Sequence, residues 1–200
     1  AQEQAADYAV KHMRAAVILD TRNKVLEFAI ARAPKAGDVL EFGVAGGDSV
    51  RLIAYHIKRP IHGFDCFEGL PEDWGGRHEG KGHYSTGGLL PSVPNNVILY
   101  KGWFDQTLPS YKENYKDSIA LLHVDCDLYS STKIILDGLN KRIIPGTIIV
   151  FDEYFNYVSW QDHEFKAFKE FVAAHDVAYS YLCWGYQQVV IRIDKIRPKE

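Results

Sequence analysis

Apolar residues in this chain fall into short continuous blocks separated by stretches of helical spacing. "DVLEFG" from Asp38, "IHGFD" from Ile61, "NVILYK" from Asn96, "SIALLHVD" from Ser118 and "GTIIVFD" from Gly146 have the length and Val/Ile/Leu/Phe content of strands. Their apolar positions are consecutive rather than alternating, so both faces of each strand are expected to be covered. Between them, "DSVRLIAYHIK", "DQTLPSYKENY" and "SSTKIILDGLNKR" read as helices opened by Asp or Ser caps. Strands alternating with helices imply right-handed crossovers and a doubly wound, mostly parallel α/β sheet. The end of the chain breaks this rhythm. "VAYSYLCW" and "QQVVIRI" are separated only by Gly185 and Tyr186, which predicts a tight antiparallel hairpin at the sheet edge.

Two segments fall outside the alternation. Residues 3 to 33 predict one or two helices without a sheet partner, expected to cap the site or to meet another subunit of a homo-oligomer. Residues 72 to 95 ("EDWGGRHEGKGHYSTGGLLPSVPN") are Gly-rich, polar and aromatic by turns, and a loop of that length in a compact domain is expected to be a lid. With 200 residues, 46% of them hydrophobic, the chain suits one domain over 1–200, with 1–37 as an N-terminal cap and 38–200 as the catalytic core.

Charge narrows the partners. The 23 basic and 26 acidic residues are evenly spread, giving −3 overall, so a basic face for nucleic acid is not expected. No apolar run is long enough to span a bilayer. The three cysteines, Cys66, Cys126 and Cys183, lie far apart without C-x-x-C spacing, which favours a reducing, cytoplasmic setting. Met13 is the only methionine, and the chain is expected to begin inside a longer gene product.

In such a sheet, ligands gather where strands end at their carboxyl termini. "LEFGVAGGDS" puts Glu41, Gly43, Ala45, Gly46 and Gly47 at the first strand-to-helix turn, with Asp48 or Ser49 as helix cap. Glycine there lets a ligand approach the backbone closely. The spacing fails as a G-x-G-x-x-G dinucleotide fingerprint. An acid opening the turn suits a ligand bearing an amine, and Asp65, ending the next strand, can accept both ribose hydroxyls of an adenosine.

Taken with "DCFEGLPEDW" from Asp65, "GWFDQTLP" from Gly102, "DCDLYSST" from Asp125 and "PGTIIVFDEY" from Pro145, this turn resembles the class I S-adenosylmethionine-dependent methyltransferases, and within them the macrocin O-methyltransferase family. The resemblance covers residues 38 to 154. It implies a seven-stranded sheet and methyl transfer to a hydroxyl of a small polar acceptor, a sugar or glycosylated metabolite. It further implies a cofactor site with Glu41 and the glycines Gly43 and Gly47 at the methionine, Asp65 at the ribose and Trp103 with neighbouring Gly102 at the adenine, and with Ala45, Ser49, Phe67 and Asp125 also among the cofactor-binding residues.

Asp125 ends the fourth of these strands, and Asp152 with Glu153 ends the fifth. As neighbours in a parallel order they would bring three hard oxygen ligands beside the methyl donor, suited to Mg²⁺ or Mn²⁺. The family has an Asp-Asp pair where this chain has Asp152 and Glu153. Asp125 is assigned a second role, as general base and cofactor neighbour. Asp127 is read as the cap of the following helix, and His123 as a hydrogen-bonded core residue. His83, Tyr84 and Tyr154 are candidates for the acceptor pocket, and Cys126, between two acids, is disfavoured as a nucleophile. Rival readings are a glycosyltransferase using Asp125-x-Asp127, a short-chain oxidoreductase using Tyr129 and Lys133, and a non-catalytic module that binds S-adenosylmethionine.

Overall fold

The computed structural model describes residues 1–197; the last three residues of the expected domain, 198–200, lie outside the described residues. The chain runs α1 (Gln2–His12), β1 (Val17–Ile18), α2 (Arg22–Ile30), β2 (Asp38–Phe42), α3 (Asp48–His56), β3 (Ile61–Asp65), β4 (Val97–Lys101), α4 (Phe104–Asn114), β5 (Ile119–Val124), α5 (Tyr129–Leu139), β6 (Ile148–Phe151), α6 (Glu164–His175), β7 (Ala178–Trp184) and β8 (Val189–Lys195). The strands form one sheet in the order β1-β7-β8-β6-β5-β2-β3-β4. All neighbours are parallel except β8, which is antiparallel to both β6 and β7. This is the doubly wound α/β sheet that the apolar blocks imply.

Three details differ from the sequence reading. The N-terminal segment does have a sheet partner, because Val17 and Ile18 pair with Cys183 and Trp184 and add an eighth strand to the expected seven. Two residues between helices carry no periodic signal, so only the open edge of β7 makes them a strand. The hairpin loop is longer than two residues: β8 begins at Val189, and Gly185 N–H donates to the Gln188 carbonyl at 2.9 Å. A helix also follows the fifth core strand: α6 buries Ala167, Phe168 and Phe171 against the sheet at helical spacing.

Strand residues alternate between two apolar layers. Leu40, Phe42, Phe64, Leu122, Val124 and Phe151 face the layer shared with Leu136 of α5 and Phe168 of α6. Val39, Ile61, Leu121, Ile148 and Val150 face the layer completed by α2 and α3. Glu41 and His123, paired in register on β2 and β5, interrupt the second layer with charge.

The connections after β2 and β5 leave in opposite directions across the sheet, so the crevice expected of an open α/β sheet lies between these two strands. Their ends are tied together. Asp125 N–H donates to the Phe42 carbonyl and Asp152 N–H to the Val124 carbonyl, both at 2.9 Å, while Gly43 N–H donates to Phe64 at 2.9 Å. Asp125 and Asp152 are thereby fixed at the same level beside the glycine turn.

Candidate active site

A cavity of about 590 Å³ opens over these strand ends, within the usual range for a small-ligand site. One side is the glycine turn. Gly43 has φ +94°, and a Cβ there would stand 1.6 Å from the Asp125 carbonyl oxygen, so no other residue fits between β2 and β5. Gly43 and Ala45 line the cavity; Gly47 and Ser49, expected beside them, do not. Gly47, at φ +84°, is the residue from which α3 starts, and Ser49 turns inward, donating from Oγ to Glu41 at 2.9 Å.

Asp65 lines the cavity and is also the clamp of the turn. Its Oδ2 accepts from the Val44 and Ala45 amides at 2.8 and 2.7 Å, and its Oδ1 from the Phe67 amide at 2.6 Å. Phe67, expected to bind the cofactor, is instead buried in the α2/α3 layer. Trp103 and Phe104 also line the cavity; Gly102 does not reach it.

Glu41 is displaced from its expected role. It is fully buried, absent from the wall, and its second oxygen lies 3.2 Å from His123 Nδ1. His123 stands between it and Asp152, whose Oδ1 is 3.8 Å from Nε2, an ion-pair rather than hydrogen-bond separation. Burial alone would lower the His123 pKa, but the flanking Asp152 and Glu41 carboxylates outweigh it and push it up to about 10. The imidazole is therefore a buried cation holding two acids.

The acid cluster differs in membership from the expected one. Asp125, Asp127 and Glu153 each present an oxygen within 4.8 Å of the others. Asp127 takes the place expected for Asp152. It does not cap α5, because Leu128 occupies the cap position and Asp127 sits one residue earlier with φ +66°. Asp152 is held elsewhere: Arg22 Nε donates to its Oδ1 at 2.7 Å, and the same guanidinium donates from Nη2 to Asp125 Oδ2. Burial works against the Asp152 charge, but His123 and Arg22 hold its carboxyl well below the usual range. The other acids move the opposite way. Burial, with Asp152 nearby, raises Asp125 well above the ordinary value despite Arg22 and His123. Burial raises Asp127 to about 7, and burial with Asp152 and Asp127 nearby raises Glu153 well above its ordinary value. Glu153 Oε2 is buried without a hydrogen-bond partner, and its amide donates to Glu164 Oε2 at 3.1 Å. Three hard carboxylates, one with a buried oxygen that has no hydrogen-bond partner, make a donor set suited to a divalent cation.

The acceptor candidates separate. Tyr84 lines the cavity at φ +65°, and burial raises its phenol to about 12. His83 is exposed, and its ring packs edge-on against Tyr84. Tyr154 is fully buried away from the cavity, its hydroxyl 2.7 Å from that of Tyr181. Tyr129 and Lys133 bind Glu170 and Asp137 instead of facing each other, so no oxidoreductase pair forms. Cys126 is buried, and burial with nearby Glu164 raises its thiol well above the ordinary value.

Arg22 and Glu164 were not singled out from the sequence. Arg22 had a readable signal: it is the first residue of α2 after the Thr21 cap, where the helix dipole disfavours a cation unless another partner holds it. Glu164, in the first turn of α6, suits that dipole and so looked ordinary.

Among curated proteins, the chain is 32% identical over 141 residues to 8-demethyl-8-(2,3-dimethoxy-alpha-L-rhamnosyl)-tetracenomycin-C 4'-O-methyltransferase of Streptomyces olivaceus, covering 59% of this chain and 53% of that protein. It is 27% identical over 165 residues to demethyldecarbamoylnovobiocin O-methyltransferase of Streptomyces niveus, covering 71% and 60%. The chain thus spans little more than half the length of these relatives. Among solved structures, the calicheamicin methyltransferase CalS11 superposes with a TM-score of 0.65 at 24% identity, over 85% of this chain and 76% of that one, a likeness of fold. A family described as a methyltransferase domain matches residues 40–154, the stretch from β2 to the end of the acid cluster. That match takes in more than half of the chain and both halves of the site, and the chain belongs to the methyltransferase-domain family.

Proposed function

We propose that the chain carries out S-adenosylmethionine-dependent O-methylation of a small polar acceptor, a sugar or glycosylated metabolite, with Mg²⁺ or Mn²⁺ assisting. The observation that carries this reading is that the glycine turn with Asp65 and the acid cluster border the same cavity. The names of the two relatives, both O-methyltransferases and one acting on a rhamnosyl compound, support the acceptor class.

S-adenosylmethionine supplies a methyl group on a positively charged sulfur. In this reading the backbone at Gly43 and Ala45 receives the methionine end, Asp65 the ribose and Trp103 the adenine. Glu41 contributes indirectly, by holding Ser49 and His123. Asp125 takes the proton from the acceptor hydroxyl. Its carboxylate lies in the cavity wall, where a positioned base accepts a proton as the hydroxyl reacts. The residues fit to hold the divalent cation are Asp125, Asp127 and Glu153, the last offering its unpartnered oxygen. Such a cation, when bound, stabilises negative charge developing on an acceptor oxygen. Tyr84, Leu70 and Ile134 add apolar wall for the acceptor body. The 72–95 loop acts as the lid, anchored through buried Trp74 and Glu79.

Release of S-adenosylhomocysteine from a glycoside panel tests the reading. Asp125→Asn is expected to lower turnover at least about a hundredfold, the low end of general-base effects, with S-adenosylmethionine affinity by calorimetry nearly unchanged. Chelation should abolish turnover and Mg²⁺ or Mn²⁺ restore it. Cofactor binding without product from any acceptor would leave the non-catalytic module instead.

A further inference from the structure

The Arg22 guanidinium reaches from α2 into the cavity wall and bridges Asp125 and Asp152. It divides the acids into two groups. Asp152 and one oxygen of Asp125 are neutralised by Arg22, with His123 behind them. Asp127 and Glu153 have no Lys, Arg or His ion pair within 4 Å among the described residues, and Glu153 Oε2 has no hydrogen-bond partner. Asp125 belongs to both groups, since it also contributes an oxygen to the cluster with Asp127 and Glu153.

We infer that Arg22 is a tethered cation that competes with a divalent ion for Asp125, closing the acid cluster until the ion enters and the guanidinium swings away. The inference rests on the metal half of the proposed function. A guanidinium in contact with Asp125 stands within a few ångströms of any ion held by Asp125, Asp127 and Glu153, and the two positive charges repel in a partly buried site. Arg22 cannot escape this by losing its proton, because arginine stays charged throughout the working pH range. It must move. Its side chain is 43% exposed, so solvent is open to it. Val25, Leu26 and Ala29 anchor α2 in the core, so the movement belongs to the side chain and not to the helix. Arg22 is thus a positioning residue: it keeps Asp125 and Asp152 assembled without the ion and sets how strongly the ion must bind.

Mn²⁺ binding by paramagnetic resonance, on the full chain as wild type, Arg22→Gln and Arg22→Lys, tests this. Arg22→Gln is expected to bind Mn²⁺ at least about tenfold more tightly, as removal of one adjacent charge predicts, and Arg22→Lys, whose ammonium lacks the planar fork that fits both carboxylates, to fall between. In wild-type protein, Mg²⁺ should shift the Arg22 Nε–H resonance towards its solvent-exposed position. Binding to wild type with no gain in either variant, or an Arg22 resonance unmoved at saturation, would overturn the competition and leave the metal reading intact. Absence of Mn²⁺ binding in all three proteins would overturn both. Should Arg22→Gln not fold, a gain of about threefold in Arg22→Lys supports the inference and none overturns it.

Discussion

Asp127 holds a left-handed backbone conformation that few side chains other than Asn and Asp adopt readily, and this aims its carboxyl at Asp125 and Glu153. Its cost is visible in its titration, since burial moves its pKa from 3.8 to about 7. Between these values the folded state holds a proton that the unfolded chain has released. Stability of the metal-free protein therefore falls as pH rises from about 4 to 7, by up to about 1.4 kcal/mol per pH unit for one such group, and levels off above. Asp127→Asn, an isostere of the protonated acid, should reduce this slope in urea unfolding measured in chelator at pH 5 and pH 7.5. An identical slope in the variant would move the effect to the other acids. Asp65 carries two duties, clamping the glycine turn through three backbone amides and presenting its oxygens to the cavity. Asp65→Ala is expected to weaken S-adenosylmethionine binding by about 2–3 kcal/mol, the value of hydrogen bonds to a charged acceptor. Unchanged affinity in calorimetry would remove Asp65 from the cofactor site.

At the scale of elements, the 72–95 loop has no helix or strand but does have an anchor. Trp74, 2% exposed, meets Tyr157 and His163 edge-on at 5.6 and 6.2 Å, and Arg77 lies over its ring at 4.4 Å while donating to both oxygens of buried Glu79. His163 Nε2 donates to the Gly75 carbonyl at 2.9 Å and fastens the loop to the start of α6. Replacing a buried Trp by Ala costs about 3–5 kcal/mol when the whole core responds. Here the loop can open by itself, so Trp74→Ala should speed proteolytic cleavage within residues 72–95 by at least about tenfold, with a smaller fall in the global unfolding midpoint. Equal cleavage rates would mean the anchor does not hold the loop. Glycines and polar residues around Trp74 hid this anchor, because a single buried aromatic produces no periodicity.

The whole molecule is organised by the junction of β2 and β5. Gly43 lets these strands meet closely enough for the turn, Asp125 and Asp152 to share one cavity. Gly43→Ala would force its methyl into the Asp125 backbone at a left-handed φ, and a cost of about 3 kcal/mol or more corresponds to a fall in melting temperature of roughly 10 °C for a chain of this size. Cofactor binding should be lost with it. A variant with unchanged melting temperature and affinity would show that the junction is not as tight as the close approach implies.

The apolar blocks from Asp38, Ile61, Asn96, Ser118 and Gly146 by themselves determined the parallel α/β sheet, since consecutive branched residues can be buried only between two covering layers. They also placed Asp65, Asp125 and Asp152 at strand ends, because the acids follow directly on the apolar runs. Tertiary structure alone decided how those acids are used. Whether Asp152 faces a metal or Arg22 depends on where α2 docks, more than a hundred positions away in the chain. Whether Glu41 meets solvent or His123 depends on the register of β2 against β5. Charge pairing across a sheet is a long-range event with no local pattern, and so the fold was legible along the chain while the partners of its charges were not.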